Sequence, residues 1–165
     1  PIDPFYLSWR ARQFGLNTRF IELAGEINTA MPEYVIGRVA EALNEVGKPI
    51  RDSQVFVLGL SYKKDVDDLR ESPSVELIEL LLARGAQVTY NDPFFPTIPP
   101  MRDHNLDVES QPINAKTLQT ADLVLIATDH SQYDYAQVGA YARIIVDTRN
   151  TMANQGECKA TIWKA

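Results

Sequence analysis

The apolar positions of this chain change their period once, near residue 50. From Pro4 to about Phe14 the run Phe-Tyr-Leu-Ser-Trp-Arg-Ala-Arg-Gln-Phe predicts a short helix, with Asp3 as N-cap, Pro4 at the first helical position and Gly15-Leu16-Asn17 as its end. From about Thr18 to Val46 the positions Phe20, Leu23, Ile27, Met31, Tyr34, Val35, Val39, Leu43 and Val46 fall in steps of three, four and one, as one stripe along a helix. Pro32 lies inside it and predicts a kink or a break near Met31. At ~1.5 Å per residue such a helix is roughly 40 Å long, more than a domain of this size covers. It is expected to be a connecting and dimerising helix over 18–46; the alternative is a helix packed wholly on its own domain. Gly47-Lys48-Pro49 ends it.

Beyond Ser53 strands and helices alternate. Short apolar runs predict strands at about 54–59, 87–91, 122–127 and 143–147, and helical periodicity marks about 73–84 and 134–141. Asp-Leu-Val-Leu-Ile-Ala at 122–127 is apolar nearly throughout, as in a strand buried on both faces. The fold class is therefore α/β, a Rossmann-like parallel sheet with right-handed crossovers, preceded by the long helix. The chain divides into a helical segment over 1–50 and a sheet domain over 51–165. The stretch from Asp92 to about Pro112 holds five of the ten prolines, so it is expected to be irregular, with at most one edge strand. After Asn150 the tail is polar and weakly patterned.

The loop after the first strand carries the chemistry. Val55 to Leu58 ends in Gly59, and Ser72-Pro73 supplies an N-cap and a first-turn proline for the next helix. A dinucleotide fingerprint would place three glycines in this turn. A single Gly59 followed by Tyr62, Lys63, Lys64 and Arg70 favours phosphate capture by side-chain cations, although the same charges suit a solvated loop. Further groups project from the other strand ends: Asp92, Asp129-His130 and Asp147-Thr148-Arg149. Asp92 also suits a turn cap, and His130-Ser131 suits a turn and helix-cap arrangement. Arg149 is expected to face the same crevice as Lys63, where the two could clamp a diphosphate. Two histidines, His104 and His130, and one cysteine, Cys158, make no convincing zinc set.

Composition narrows the classes. A net charge of −6 argues against a nucleic-acid surface while allowing a local basic pocket. No apolar run approaches ~18 residues, so no membrane span is expected. One cysteine permits no internal disulfide, which is consistent with a cytoplasmic location.

The stretch Gly-Leu-Ser-Tyr-Lys-Lys-Asp-Val-Asp-Asp-Leu-Arg-Glu-Ser-Pro, 59–73, resembles the signature of the UDP-glucose/GDP-mannose dehydrogenase family, the nucleotide-sugar 6-dehydrogenases. Pro1-Ile2-Asp3-Pro4-Phe5 is similar to the piece following that family's nucleophile motif. Glu22-Leu23-Ala24-Gly25-Glu26-Ile27-Asn28 is similar to its central dimer helix, and Asp147-Thr148-Arg149-Asn150 to its strand-end arginine motif. The variant most resembles the UDP-N-acetylglucosamine or UDP-N-acetylgalactosamine 6-dehydrogenase branch. The resemblance implies oxidation of a sugar C6 alcohol to a carboxylate in two NAD-dependent steps, for surface polysaccharide precursors. A cysteine would hold the intermediate as a thiohemiacetal and then as a thioester that water cleaves. It implies that Asp3 assists water activation, that Tyr62 and Lys63 contact the nucleotide sugar with Arg149 near the bound UDP, and that Arg70 reaches the NAD pyrophosphate.

The chain opens without methionine just after the place of that cysteine, and no Gly-x-Gly-x-x-Gly is present. It is therefore expected to be a fragment, inactive alone, that binds the UDP part of a UDP-N-acetylhexosamine or UDP-glucose and forms a homodimer through 18–46, with NAD held mainly by a domain outside it. The alternative is a stand-alone nucleotide-binding or dimerisation module. A receiver-type signalling domain is disfavoured, because the first strand ends in Gly-Leu-Ser-Tyr-Lys and lacks an acidic magnesium cluster.

Overall fold

In a computed structural model, which describes residues 2–101, 106–156 and 158–165, the chain forms a helical arm and a parallel sheet. His104 lies outside the described residues. Helix α1 (Ile2–Arg12) packs against α2 (Arg19–Glu45). Asp3 sits within the first turn of α1 rather than capping it. Helix α2 neither stops nor restarts at Pro32. The bond that Pro32 cannot make would have reached the carbonyl of Asn28, on an exposed turn where water can satisfy it.

Pro32 instead marks a change of environment. Before it, Phe20, Leu23, Ile27 and Met31 are exposed; after it, Val35, Ile36, Val39, Ala42 and Leu43 are buried against the sheet. An ion pair from Arg84 to Glu33 (2.7 Å) ties α2 to the chain just before Gly85, past the change.

The sheet is wholly parallel, in the order β3-β2-β1-β4-β5-β6, from strands β1 (Gln54–Leu58), β2 (Gln87–Asn91), β3 (Glu109–Ser110), β4 (Leu123–Ile126), β5 (Ile144–Asp147) and β6 (Thr161–Lys164). Alternation along the strands assigns the two faces. Val55, Val57, Leu123, Leu125 and Val146 join the core under α2 and α3 (Pro73–Ala83). Phe56, Leu58, Val124, Ile126 and Ile145 join the core on the other face, under α4 (Ala115–Thr120) and α5 (Tyr135–Tyr141). All four expected strands are present. The expected edge strand is two residues long, and α4 was not expected. Strand β6 departs from the reading of the tail as weakly patterned. Its pairing with β5 supplies the backbone bonds, and Trp163 lies under the Arg38 guanidinium (4.8 Å to the ring centre), whose Nε donates to the Lys164 carbonyl (3.0 Å). Among the described residues no helix is long and apolar enough to cross a membrane.

Strand order reverses between β1 and β4, the switch point where open α/β sheets bind ligands. Gly59 sits there at φ +88°, and a Cβ on it would stand 2.5 Å from the Thr128 carbonyl oxygen. The close approach lets the Ala127 and Thr128 amides both donate to the Leu58 carbonyl (2.9 and 3.1 Å). Gly59→Ala is expected to cost about 3 kcal/mol, combining left-handed strain with overpacking against main chain. Urea denaturation reads this directly, and a midpoint equal to wild type would contradict the close approach.

Asp92, at the end of β2, joins β2 to the first loop. One oxygen accepts from the Leu60 amide (2.6 Å), the Ser61 amide (2.9 Å), the Ser61 hydroxyl (3.0 Å) and His130 Nε2 (3.1 Å); the other accepts from the Phe94 and Phe95 amides (2.8 and 3.3 Å). Desolvation pushes this carboxyl up, but the bonds from His130 and the amides outweigh it and hold the pKa at about 2 against an ordinary 3.8. A carboxyl lowered by folding stabilises the fold above its unfolded pKa and loses that contribution as pH falls through the folded one. From about pH 4 down to about pH 2, the chain is expected to lose about 2 kcal/mol through this group. In Asp92→Asn an NH₂ must face amide donors, so that variant is expected to lose about 3 kcal/mol at neutral pH and to show a shallower acid slope. Equal acid slopes in the two proteins, measured by denaturation at several pH values, would refute the assignment.

Candidate functional site

The loop from Gly59 to Ser72 stands at the C-terminal edge of the sheet, between the ends of β2 and β4. Its start is fixed by Asp92 and by Gly59 N–H to the Asn91 carbonyl (2.9 Å). Its far end is fixed by Ser72, whose hydroxyl donates to the Leu60 carbonyl (2.6 Å) and accepts the Ser74 amide (3.3 Å) as N-cap of α3. Thr128 Oγ1 donates to the Ser61 carbonyl (2.7 Å), and the Tyr62 amide closes the loop on the Asp68 carbonyl (2.7 Å).

The amides of Leu60 and Ser61 are those that a glycine-rich turn would offer to a phosphate, and here a carboxylate of this chain already occupies them. The turn after β1 therefore does not fit the pyrophosphate of a dinucleotide through its backbone. Anion binding at this edge is left to side chains. Lys63 is exposed, its Nζ 5.2 Å from the centre of the half-buried Tyr62 ring. Lys64 reaches toward Asp129 (3.8 Å). Arg149, just past β5, donates through Nε to the Ala127 carbonyl (2.8 Å) at the end of β4, while its amide is held by Asp147 (2.9 Å). That bond occupies Nε and ties the guanidinium to the end of β4.

Arg70 is placed differently. Its Nε and one terminal nitrogen grip Asp68 (3.0 and 2.8 Å), and the side chain stands 89% exposed. The Arg70 bonds hold Asp68 at about pKa 2, and Asp68 raises the guanidinium in turn. Apart from Asp68, the fork is open to solvent. Asp3 belongs to the arm, on the helix that packs against α2. Tyr62 and Lys63 follow β1 and Arg149 follows β5, all at strand C-terminal ends, whereas Asp3 lies on α1.

Two groups have larger roles than their sequence context indicates. Asp92 does cap the turn through Phe94 and Phe95, as expected, but its second oxygen spans to the β1 loop. His130 caps no helix, since α5 takes Asp134 as its N-cap through the Gln137 amide (3.0 Å). The imidazole is fully buried, 5.3 Å from the Phe94 ring centre and edge-on to Tyr133. Burial raises the Tyr133 and Tyr135 hydroxyls, which donate to the Asn91 and His130 carbonyls (2.8 and 3.2 Å). The available signal was positional: an acid and a histidine follow the two strands that flank β1. Among the described residues no group of three or more His, Cys, Asp or Glu is arranged to hold a metal ion. Cys158 is packed beside α5, against Gly139.

Residues 56–154 match the UDP binding domain of the UDP-glucose/GDP-mannose dehydrogenase family. The chain is 32% identical over 156 residues to a UDP-N-acetyl-D-mannosamine dehydrogenase of Pyrococcus horikoshii, covering 91% of this chain and 34% of that protein. It is 30% identical over 170 residues to Protein CapL of Staphylococcus aureus, covering 99% of this chain and 39% of the relative. The fold matches the structure of a UDP-glucose dehydrogenase from Pyrobaculum islandicum with a TM-score of 0.74 at 26% identity, over 99% of this chain and 35% of that one. The chain thus spans between a third and two-fifths of the length of these relatives. Together, the side-chain cations around a backbone-sealed β1 turn and the match over most of the sheet domain show that this chain belongs to the UDP-glucose/GDP-mannose dehydrogenase family and carries its UDP binding domain.

Proposed function

We propose that this chain is the UDP-sugar-binding and dimerising part of an NAD-dependent UDP-sugar 6-dehydrogenase, which oxidises the sugar C6 alcohol to a carboxylate. The observation that carries the reading is the switch point itself. Its turn amides are sealed by Asp92, which leaves Lys63, in the loop after β1, and Arg149, bonded to the end of β4, as the cations for a diphosphate. Tyr62 offers a half-buried ring beside Lys63 for the nucleoside or sugar. The names of the relatives favour a UDP-N-acetylhexosamine, with UDP-glucose as the other candidate.

NAD is assigned chiefly to residues outside the β1 turn, whose amides are taken. Arg70, exposed and paired with Asp68, is the residue of this chain assigned to its pyrophosphate. Asp3, on α1, is assigned to water activation. The arm also carries the dimer assignment. Phe20, Leu23, Ile27 and Tyr34 lie exposed along α2, with Phe20 88% accessible, and a second copy of the same stripe would cover them.

Lys63→Ala and Arg149→Ala are each expected to weaken UDP binding by roughly 1.5–3 kcal/mol, the range for a hydrogen bond to a charged group. Calorimetric titration checks this, and unchanged affinity in both variants removes the phosphate role. The chain is expected to sediment as a dimer, and Ile27→Glu to sediment as a monomer with its sheet intact. A monomeric wild type at high concentration overturns the dimer assignment.

A further inference from the structure

Between its two anchors the β1 loop carries only three residues, Tyr62, Lys63 and Lys64. The near anchor is Asp92, which holds the Leu60 and Ser61 amides. The far anchor is Asp65, and it is held twice. Its amide donates to His130 Nδ1 (3.0 Å), and its carboxylate accepts the Ser131 amide and hydroxyl (2.8 and 2.6 Å). Both anchors converge on one ring, because His130 Nε2 bonds the same Asp92 oxygen that holds Leu60 and Ser61.

Asp65 adopts φ +58°, a left-handed conformation that costs a non-glycine residue about 1 kcal/mol or more and persists only where surrounding bonds demand it. Nδ1 accepts an N–H, so it carries no hydrogen; Nε2 carries it and donates to Asp92. Both nitrogens are thereby engaged and the ring is fully buried, which leaves His130 no free position for acid–base chemistry. An apolar ring could fill the space beside Phe94 and Tyr133. Only a side chain with one donor and one acceptor on opposite edges can join a carboxylate after β2 to an amide beyond β1.

We propose that His130 is a positioning residue for nucleotide binding: held as the Nε2–H tautomer between Asp92 and the Asp65 amide, it sets where Tyr62 and Lys63 stand. The proposal rests on the reading of Tyr62 and Lys63 as UDP-sugar contacts. It assigns the affinity of the site partly to a residue that never touches the ligand, with the span from Asp92 to Asp65 as its means.

The test compares wild type, His130→Phe and His130→Gln in the 165-residue chain. Phenylalanine fills the volume without hydrogen bonds, and glutamine restores one donor and one acceptor without an imidazole. His130→Phe is expected to weaken UDP binding about tenfold or more and to lose hydrogen-exchange protection at the Asp65 amide, and His130→Gln to recover affinity to within about threefold. A folded His130→Phe with wild-type affinity and a protected Asp65 amide overturns the proposal. If His130→Phe does not fold, the imidazole nitrogen resonances of wild type decide, and a ring with its hydrogen on Nδ1 overturns it. Failure of wild type to bind UDP at all sinks the site reading instead. The positioning is then read without ligand, from whether the Tyr62 and Lys63 amide resonances move in His130→Phe and return in His130→Gln; resonances that stay in place overturn it.

Discussion

The buried carboxylate of Asp92 is the interaction on which the rest of this sheet edge depends. An isolated charge in that position would be expelled or protonated, because desolvation opposes it. It persists because four backbone amides, one hydroxyl and one imidazole converge on its two oxygens. That satisfaction has a structural consequence. The end of β2, the turn after β1 and the segment after β4 are gathered at one point, and the loop between them has little freedom left. Gly59 makes the arrangement sterically possible, since any side chain there would strike the main chain of Thr128.

The same carboxylate decides what kind of ligand chemistry the edge can offer. In a glycine-rich nucleotide fold, the first turn presents bare amides to a pyrophosphate. Here the equivalent amides face an internal anion, so an external one must be met by lysine and arginine. Side-chain recognition has a different character from backbone recognition: it depends on where each cation is aimed. The Ala127 carbonyl aims Arg149 and Asp68 aims Arg70, in each case through Nε, and each is left with donors to spare. Of the two, only Arg70 is held by an acidic side chain; Arg149 is held by a main-chain carbonyl.

The long helix α2 performs two tasks along one stripe. Its second half is core, its apolar positions packed with α3 over the sheet and braced by the pair to Arg84 and by its own Arg38, which donates to the Lys164 carbonyl of β6. Its first half holds α1 through the contact of Phe5 with Gly25 and otherwise leaves its stripe open. One hydrophobic period thus continues from an interior into a surface, and nothing in the period itself marks the boundary. Pro32 falls there because a missing backbone bond is cheapest where the carbonyl left over is exposed to water.

Much was legible from the sequence alone. The four main strands, the α3 cap at Ser72-Pro73, the side-chain character of the loop and the family signature at 59–73 all follow from local residue types, since period, capping and turn chemistry act over a few residues. The cap on Phe94 and Phe95 by Asp92 was likewise local. The remaining features required residues far apart in the chain to meet. Strand β6 was invisible because four residues of mixed polarity become a strand only when β5 offers a ladder and Arg38 covers Trp163. His130 carried the signature of a turn because nothing near it in sequence reveals that Asp92 lies 38 positions back and 3.1 Å away. The sequence by itself determined which groups are present at the strand ends. Only the tertiary structure decided which of them would be spent on one another and which would remain for a ligand, because that choice depends on burial and on the distances between strands that the order of the sheet makes neighbours.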